Sequence, residues 1–471
     1  MTLAVKEVAF FELPMETRLP FQYGIASVTH LPHLFVRVIV ELNDKLGSGL
    51  SSENLAPKWF TKDPHTSFER HDYPQMMVSL RKAAELSTEP PSAAHFFDWW
   101  DQLYCGQMQW ATKTDTPPLV AGLGVSLIER AVIDACCRIE QTSLNDWLRS
   151  EHHGIQPAAL RPQTATRVAE ILPPEPLTRI QLRHTVGLAD PLTSADVTQR
   201  PDDGLPFTLE EHIVSHGLTH LKIKLSGEFD NDCDRLRVIR RLSRRSGKPV
   251  RFTLDGNENY RSMSQFRTHW EQLIDHEEIR NFLRESLLYV EQPVHRDEAL
   301  AESVKAEFAD WPGAPAVIID ESDADLTSFP VALDLGYSGT SHKNCKGVVK
   351  SVANLATIRA TSDASRLTFS GEDLMNVGPI ALHQDLAVCA SLGISHAERN
   401  GHHYFRGLAH LSEMQQQQVL MDHPHLYFHG SEFVQLRITD GSLNIQDCVA
   451  APFGYWTFPD LNAFKLLDAD S

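Results

Sequence analysis

The stretch His220–Gly227, HLKIKLSG, sets Lys222 and Lys224 one residue apart inside an apolar run. Alternate residues of a strand point to the same side, so the two lysines share one face while Leu221 and Ile223 occupy the other. Two ammonium groups in a small volume disfavour each other's charge, and partial desolvation adds to this effect, so we expect the pKa of at least one lysine to fall toward neutrality. Such a lysine can serve as a general base. An exposed edge strand with two solvated lysines is the alternative interpretation.

Short apolar runs that end in polar residues recur between about residues 160 and 410. They alternate with helical stretches, which predicts βα units and a parallel sheet, and their number favours a closed barrel over an open sheet. The acids Asp255, Glu291 and Asp320 end three successive runs after Lys224, at intervals close to one βα unit of about 30 residues. Because strand ends of a parallel barrel meet at one rim, we expect these residues to converge there.

The three strand-end acids predict a metal site. Carboxylate oxygens from adjacent strands suit a hard, octahedral Mg²⁺, with Mn²⁺ as the alternative ion. A single acid at a strand end can instead cap the following helix, but three in succession behind the lysine pair favour metal binding. Asn257 and Glu321 are then expected to orient the ligands or the lysines.

A further lysine pair lies in the segment SHKNCKG, which supplies Lys343 and Lys346. With the barrel strands in sequence order, this segment lies across the mouth from the first lysine pair, so a carboxylate substrate on Mg²⁺ would sit between cations on both faces. Such a site favours abstraction of the α-proton, because a divalent ion stabilises the enediolate that forms. Lys343 is the favoured residue because it is nearer the strand end, while Lys346 remains the alternative at the start of the next helix. Lys343 as a solvated loop lysine is the other interpretation.

The two last strands run into FSGEDLMNVGP and SHAERNGHHYFRG. Their polar residues could line the substrate side of the pocket: Glu372, Asp373, Asn400, His402 and His403. Caps of the following backbone and solvated loop histidines are the alternative roles.

The N-terminal region differs from the barrel in pattern. VAFFEL and LFVRVIVEL, followed by the turn signal NDKLGSG, predict an antiparallel pair, and the helical spacing of SLIERAVIDACCRIEQ predicts a long helix packed on it. The segment after about residue 410 returns to strand-and-turn character. A lid over the barrel mouth, needed to exclude water, is expected from Phe21, Gln22, Tyr23 and residues 54–60.

In order and spacing these motifs resemble the enolase superfamily, and within it the muconate-lactonizing-enzyme type of the mandelate racemase/muconate lactonizing enzyme family. The resemblance runs over nearly the whole chain, from LPFQYGIASVTH to HKNCKG. It implies an α/β protein with an α+β N-terminal capping domain (1–150), a modified TIM barrel, (β/α)7β (160–410), and a segment that returns to the capping domain (411–471). It also implies roles for six residues and a homo-oligomer: Asp255, Glu291 and Asp320 as metal ligands, Lys224 as the base on one face, Lys343 on the other face, and Lys222 as the support of the base.

The composition narrows the function classes. The 471 residues include 43 Lys and Arg against 62 Asp and Glu, for a net charge of −19. This charge repels phosphate backbones and anionic lipid head groups, so we expect a small-molecule carboxylate substrate and no nucleic-acid or membrane partner. Seven cysteines without CxxC spacing and an N-terminus without a signal-peptide pattern predict a cytoplasmic protein.

We therefore predict an Mg²⁺-dependent enzyme that abstracts a proton α to a carboxylate and acts as a racemase or epimerase, a dehydratase or a cycloisomerase. A metal-dependent TIM-barrel hydrolase, in which the acids and His402 or His403 bind metal and activate water, is one alternative. It needs histidines at the early strand ends, where LKIKL has lysines. A catalytically silent carboxylate-binding barrel is the other alternative, and the intact acids and both lysines argue against it.

Overall fold

The computed structural model describes residues 2–89 and 91–467. Its N-terminal part is an antiparallel sheet with helices packed on one side. The elements are β1 (Leu3–Tyr23), β2 (Ala26–Leu42), β3 (Lys45–Asn54), α1 (Tyr73–Thr88), α2 (Phe96–Thr114), α3 (Pro118–Glu140), α4 (Leu144–Arg149) and α5 (Pro157–Leu160). The turn between β2 and β3 consists of Asn43 and Asp44, both at positive φ, as a two-residue hairpin of the primed type requires. Gly49 on β3 lets α3 approach closely, since a Cβ there would lie 2.1 Å from the Ala131 carbonyl oxygen.

The following part is a parallel barrel of eight strands. They are β4 (Arg179–Val186), β5 (His220–Lys224), β6 (Arg251–Asp255), β7 (Leu287–Glu291), β8 (Val317–Ile318), β9 (Gly339–His342), β10 (Thr368–Gly371) and β11 (His396–Arg399). Neighbours pair in chain order, and β11 returns to pair with β4. A parallel bridge between Ile319 and Thr340 joins β8 to β9 and completes the ring. The N-terminal sheet and this barrel confirm the predicted fold class.

Helices connect successive barrel strands and cover their outer side. They are α6 (Leu209–His216), α7 (Phe229–Arg245), α8 (Met263–Asp275), α9 (Glu277–Ser286), α10 (Arg296–Ala299), α11 (Ser303–Ala309), α12 (Ser328–Leu335), α13 (Val348–Ala360), α14 (Ala381–Leu392) and α15 (Gly401–Tyr404). None of the helices within residues 2–89 and 91–467 combines the length and the apolarity needed to cross a membrane.

The C-terminal segment divides its contacts between both parts of the molecule. Its elements are α16 (Glu413–Asp422), β12 (Tyr427–His429), β13 (Val434–Leu436), β14 (Ser442–Asn444), α17 (Gln446–Ala450) and β15 (Lys465–Leu467). Strand β15 pairs with β1, as expected for a return to the N-terminal sheet, whereas β14 pairs antiparallel with barrel strand β4. The exact domain limits stay a prediction.

Buried polar contacts tie the N-terminal part to the barrel. Glu129 on α3 accepts hydrogen bonds from the backbone N–H groups of Val348 and Val349 at 2.6 and 2.8 Å. These are the first residues of α13, so a carboxylate from the N-terminal part caps a barrel helix where its free N–H groups lie. Asn54, at the end of β3, donates to the Met375 carbonyl oxygen at 2.7 Å. The N-terminal sheet is therefore held over the carboxyl-terminal mouth of the barrel.

Candidate active site

Strand register brings one lysine of the first pair and two acids to one level of the barrel. Lys224 on β5 pairs with Asp255 on β6, and Asp255 pairs with Glu291 on β7. Lys222 lies one level deeper in the barrel. Both lysines are buried, with 1% and 5% of their surface exposed. Lys222 and Lys224 therefore both lie on the inner face of the strand, and the interpretation as an exposed edge strand is wrong.

Lys222 is surrounded by carboxylates. Its Nζ lies 2.7 to 3.0 Å from oxygens of Asp255, Glu291, Glu372 and Glu398. Burial favours the neutral amine, but the four acids outweigh it and hold the pKa of Lys222 well above its ordinary value. The expectation of a lysine pKa near neutrality is therefore wrong for Lys222. The prediction considered the neighbouring lysine and partial desolvation but not the four acids, of which Glu372 and Glu398 arrive from β10 and β11.

Lys343 and Lys346 both contact Asp320, from different sides. Lys343 Nζ lies 2.6 Å from Asp320 Oδ2 and 4.3 Å from the centre of the Trp59 ring. Lys346 Nζ lies 2.9 Å from Asp320 Oδ1 and donates to Ser341 Oγ at 2.7 Å. Lys346 lies just before the start of α13, where it was expected, and its side chain is buried behind the acid. Although burial opposes it, Asp320 raises the pKa of Lys343 above its ordinary value, so Lys343 carries a positive charge.

Lys222, Lys224, Lys343 and several acids line a cavity between the N-terminal sheet and the barrel. Lys224 and Lys343 enter it from β5 and from the end of β9, which are four places apart in a ring of eight strands and therefore lie on opposite sides. Other barrel residues at the cavity are Asp255, Asn257, Asp320, Glu321, Asp373, Glu398 and Asn400. The arrangement can hold a small anion between two cations.

The N-terminal part closes the cavity with apolar and aromatic side chains. Phe21, Tyr23, Ala56 and Trp59 line it, whereas Gln22 is exposed. The Tyr23 hydroxyl donates to the Pro57 carbonyl oxygen at 2.7 Å, and burial raises the pKa of this phenol, so Tyr23 stays neutral.

The carboxylates differ in how well their charge is compensated. Lysine neighbours outweigh burial at Asp255 and Asp320, and their pKa values are lowered. Burial and the nearby Asp255 raise the pKa of Glu291 well above its ordinary value, in spite of its contact with Lys222. Burial and Asp320 likewise raise the pKa of Glu321 to about 7. The lysines therefore compensate the negative charge less well at Glu291 and Glu321 than at Asp255 and Asp320.

A hard cation fits these groups in donor chemistry. Glu321 Oε2 and Asn257 Oδ1 are buried oxygens for which no hydrogen-bond partner is found within residues 2–89 and 91–467. All the candidate ligands are oxygens, which Mg²⁺ prefers. Lysine side chains lie between the three acids. Among the described side chains, some groups have possible ligand atoms that all lie within 4.8 Å of one another, and the three acids are not among these groups.

Comparison with known proteins identifies the architecture. No protein-family model matches the chain, and no curated protein sequence does. A mandelate racemase/muconate lactonizing protein from Herpetosiphon aurantiacus has 15% identity and a TM-score of 0.59, with 95% of this chain and 97% of that chain covered. The chain has the mandelate racemase/muconate lactonizing enzyme fold.

Two further solved structures with the mandelate racemase/muconate lactonizing enzyme fold were obtained with ligands. An enolase from Bradyrhizobium, complexed with magnesium and mandelic acid, has 13% identity and a TM-score of 0.56, and the match covers 99% of this chain and 96% of that chain. A dipeptide epimerase from Enterococcus faecalis, complexed with Mg and the dipeptide L-Leu-L-Tyr, has 15% identity and a TM-score of 0.54, and the match covers 84% and 90%.

Within this mandelate racemase/muconate lactonizing enzyme fold, two buried groups around Lys222 were missed from the sequence. Glu398 contacts Lys222, accepts from Thr185 Oγ1 at 2.6 Å, and reaches the cavity from β11. Arg183 forms an ion pair with Glu372 beneath the cavity. The strand HAER carried a signal for Glu398, since its acid precedes Asn400 by two positions and shares its face. Arg183 left no signal, because its partner lies on a distant strand.

Three predicted substrate residues, Glu372, His402 and His403, occupy other positions than expected, and His403 is buried against His212. Glu372 lies behind the cavity, where it contacts Lys222 and Arg183. His402 does not line the cavity but approaches His184, with 3.0 Å between His402 Nε2 and His184 Nδ1. The course of the chain after β11 explains the position of His402. Glu398 on β11 points into the barrel, and the short helix α15 then carries His402 away from the mouth.

Proposed function

We propose that the chain is an Mg²⁺-dependent enzyme of the enolase superfamily that abstracts a proton α to a carboxylate. The enediolate formed would then be reprotonated, as in a racemase or epimerase, or would eliminate or cyclise. One observation carries this proposal: two buried lysines, Lys224 and Lys343, face one cavity from opposite sides of the barrel, and the strand-end acids Asp255 and Asp320 line the same cavity.

Lys224 is assigned the base. Its Nζ lies 2.6 Å from Asp255 Oδ2, and its side chain lines the cavity. Lys222, with four carboxylate neighbours, is held charged and cannot accept a proton. Its contacts with Asp255 and Glu291 suit it to fixing these acids instead.

Lys343 is assigned the cation on the opposite face. Asp320 keeps it protonated, and the Trp59 ring lies against its ammonium group. A protonated amine there can stabilise the negative charge that develops on the substrate or can deliver a proton to that face.

Asp255, Glu291 and Asp320 would hold the Mg²⁺ ion, with Glu321 and Asn257 close to it. When bound, Mg²⁺ supplies positive charge that stabilises the substrate carboxylate as its α-proton leaves. The fold supports this assignment, because structures that share it were obtained with magnesium and with mandelic acid or a dipeptide, both of which carry a carboxyl group. The apolar side chains of Phe21 and Trp59 would exclude water from the reacting carbon.

Isotope exchange tests the proposal. The protein is incubated with Mg²⁺ in D₂O and a library of α-substituted acids, N-acyl amino acids and dipeptides, and α-deuterium uptake is followed by NMR. Lys224→Met should lose exchange on one face by about 10²–10⁴-fold, the range of a general base. Lys343→Met should lose exchange on the other face or slow the reaction without changing the face.

Lys305→Met is the matched control, because Lys305 is an exposed lysine on α11. It should exchange at the wild-type rate. Turnover that persists undiminished in Lys224→Met would overturn the assigned mechanism.

A further inference from the structure

A second cluster of titratable side chains lies outside the candidate active site. It contains five histidines, here called the histidine cluster: His184, His212, His216, His402 and His403. His184 follows Arg183 on β4 and therefore points to the outer side of the barrel, opposite to the Arg183–Glu372 ion pair. His212 and His216 stand four residues apart on α6, on one face of the helix. The cluster thus fills the space between β4, α6 and α15.

Three of these imidazoles meet in the geometry of a metal site. Ligand atoms of His184, His212 and His402 all lie within 4.8 Å of one another. The ring centres of His184 and His212 are 4.5 Å apart, and those of His184 and His402 are 5.1 Å apart. His216 stands beside them, with its ring centre 5.7 Å from that of His402. Three nitrogen donors with a fourth close by match the ligand number of a tetrahedral ion.

Three buried ring nitrogens of the cluster have no hydrogen-bond partner among the described residues, and two of them belong to the three imidazoles of the metal-site geometry. His212 Nδ1 and His402 Nδ1 are buried, and neither has a hydrogen-bond partner in the described residues. A buried polar atom without a partner is costly, so such atoms call for an explanation by an ion or a ligand.

A hydrogen bond and a nearby carboxylate favour the tautomer that leaves one of these nitrogens free. His212 Nε2 lies 2.8 Å from His403 Nδ1, and His403 Nε2 lies 3.5 Å from a carboxylate oxygen of Asp190. If His403 directs its N–H to Asp190, its Nδ1 accepts from His212 Nε2–H. The Nδ1 of His212 then keeps a lone pair. Metal-binding histidines are oriented by a carboxylate in the same manner.

The surroundings keep the cluster in its ligand form. Burial, followed by repulsion from neighbouring imidazoles, lowers the pKa values of His184, His212 and His402 well below the ordinary value. The imidazoles are therefore neutral, which is the form that binds a metal.

We propose that His184, His212 and His402 bind one divalent transition-metal ion of the Zn²⁺ class, at a site separate from the Mg²⁺ site of the active centre. Imidazole nitrogens select Zn²⁺ and related ions, whereas Mg²⁺ requires oxygen ligands.

An entry path to this site exists. A largely apolar cavity has both His216 and His402 in its wall. None of the described residues lines both this cavity and the active-site cavity. The two cavities adjoin, because the segments 373–378 and 400–402 each contribute residues to both sides. An ion can therefore reach the cluster without passing the lysines and acids of the active centre. His216 or an exogenous ligand from this cavity would complete the coordination.

Metal titration in the presence of saturating Mg²⁺ tests the proposal, since Mg²⁺ occupies the oxygen site and leaves the histidines free. Protein stripped with EDTA is titrated with Zn²⁺ by calorimetry, and with Co²⁺ by visible absorption. We expect one equivalent of Zn²⁺ to bind and four-coordinate, nitrogen-rich Co²⁺ bands to appear. His184→Gln, His212→Gln and His402→Gln should each weaken binding at least about 100-fold, beyond the effect of losing an outer partner.

Two controls locate the ion. His425→Gln changes an exposed histidine that pairs with Asp447, and it should bind as the wild type does. His423→Gln alters another described group of possible ligands, His423 with His383 and Cys448, and should also leave binding unchanged. Loss of binding in His423→Gln with retention in the three cluster variants would assign the ion elsewhere and overturn the proposal.

If the variants fail to fold, as judged by circular dichroism, a measurement on the wild-type protein tests the proposal. X-ray absorption at the zinc edge should then report nitrogen ligands only, with imidazole scattering. A sulfur or an all-oxygen shell, or no Zn²⁺ binding in the presence of Mg²⁺, would refute the proposal.

Discussion

Replacement of Lys222 by Met would remove the one cation that contacts four buried carboxylates. The Nζ of Lys222 lies 2.7 to 3.0 Å from oxygens of Asp255, Glu291, Glu372 and Glu398. Removal of one partner from a buried ion pair costs about 3–5 kcal/mol, because the remaining charge is left without compensation. We expect a loss of this size in the free energy of unfolding at about pH 8 without Mg²⁺.

The loss should shrink at lower pH. In Lys222→Met, the buried acids bind protons more tightly in the folded than in the unfolded state, so their folded-state pKa values lie above the unfolded ones. Groups of this kind favour the folded state at low pH, and that contribution disappears as the pH rises through the folded-state pKa. Glu291, whose pKa is raised even beside Lys222, shows the direction of the effect. The variant should thus approach wild-type stability toward about pH 5.

Urea denaturation followed by circular dichroism at both pH values, with EDTA and with Mg²⁺, measures these effects. Lys350→Met is the matched control, because Lys350 is also buried but pairs with Asp323 alone, with 3.0 Å between its Nζ and Asp323 Oδ1. The loss of unfolding free energy in Lys350→Met should be smaller and less dependent on pH. Mg²⁺ should restore part of the stability of Lys222→Met only. Equal stability of Lys222→Met and wild type at about pH 8 without Mg²⁺ would refute the reasoning.

Two further predictions concern the metal and the assembly. Calorimetric titration should show weaker Mg²⁺ binding in the variants Asp255→Asn, Glu291→Gln and Asp320→Asn, because each removes one oxygen ligand. Unchanged affinity in all three would show that these acids do not form the metal site. Light scattering at micromolar concentration should show a dimer or a multiple of it, as barrels with broad outer helix faces associate in closed symmetry, and a species of only 53.0 kDa would contradict this.

The sequence predicted those parts of the site that strand periodicity controls. Lys222 and Lys224 face inward because they alternate on β5, and Asp255 and Glu291 follow in register at neighbouring strand ends. Periodicity does not report which side chains from distant strands fill the same volume. The raised pKa of Lys222 depends first on Asp255 and Glu291, which the sequence did place beside it, and then on Glu372 and Glu398, whose contacts with Lys222 strand alternation does not reveal.

The histidine cluster escaped sequence reasoning for a similar reason. His212 and His216 form a helical i, i+4 pair in EHIVSH, which is a usable signal. His184 stands alone in QLRHTV, and only the closure of the barrel by β11 brings His402 beside it. A ligand set assembled from separate parts of the chain in this way has no spacing that a sequence motif could record.

The hydrogen bonds from Val348 and Val349 to Glu129 affect how freely the two parts of this molecule can be exchanged with those of other proteins. Helix α13 starts directly after the loop that carries Lys343, so the position of that lysine depends on a carboxylate encoded about two hundred residues earlier. A chimera that took its N-terminal part from another protein would need an acid at the same place on its long helix. Replacement of the whole N-terminal part without this acid would therefore disturb the placement of Lys343, whereas a graft of the lid residues alone would leave Glu129 in place.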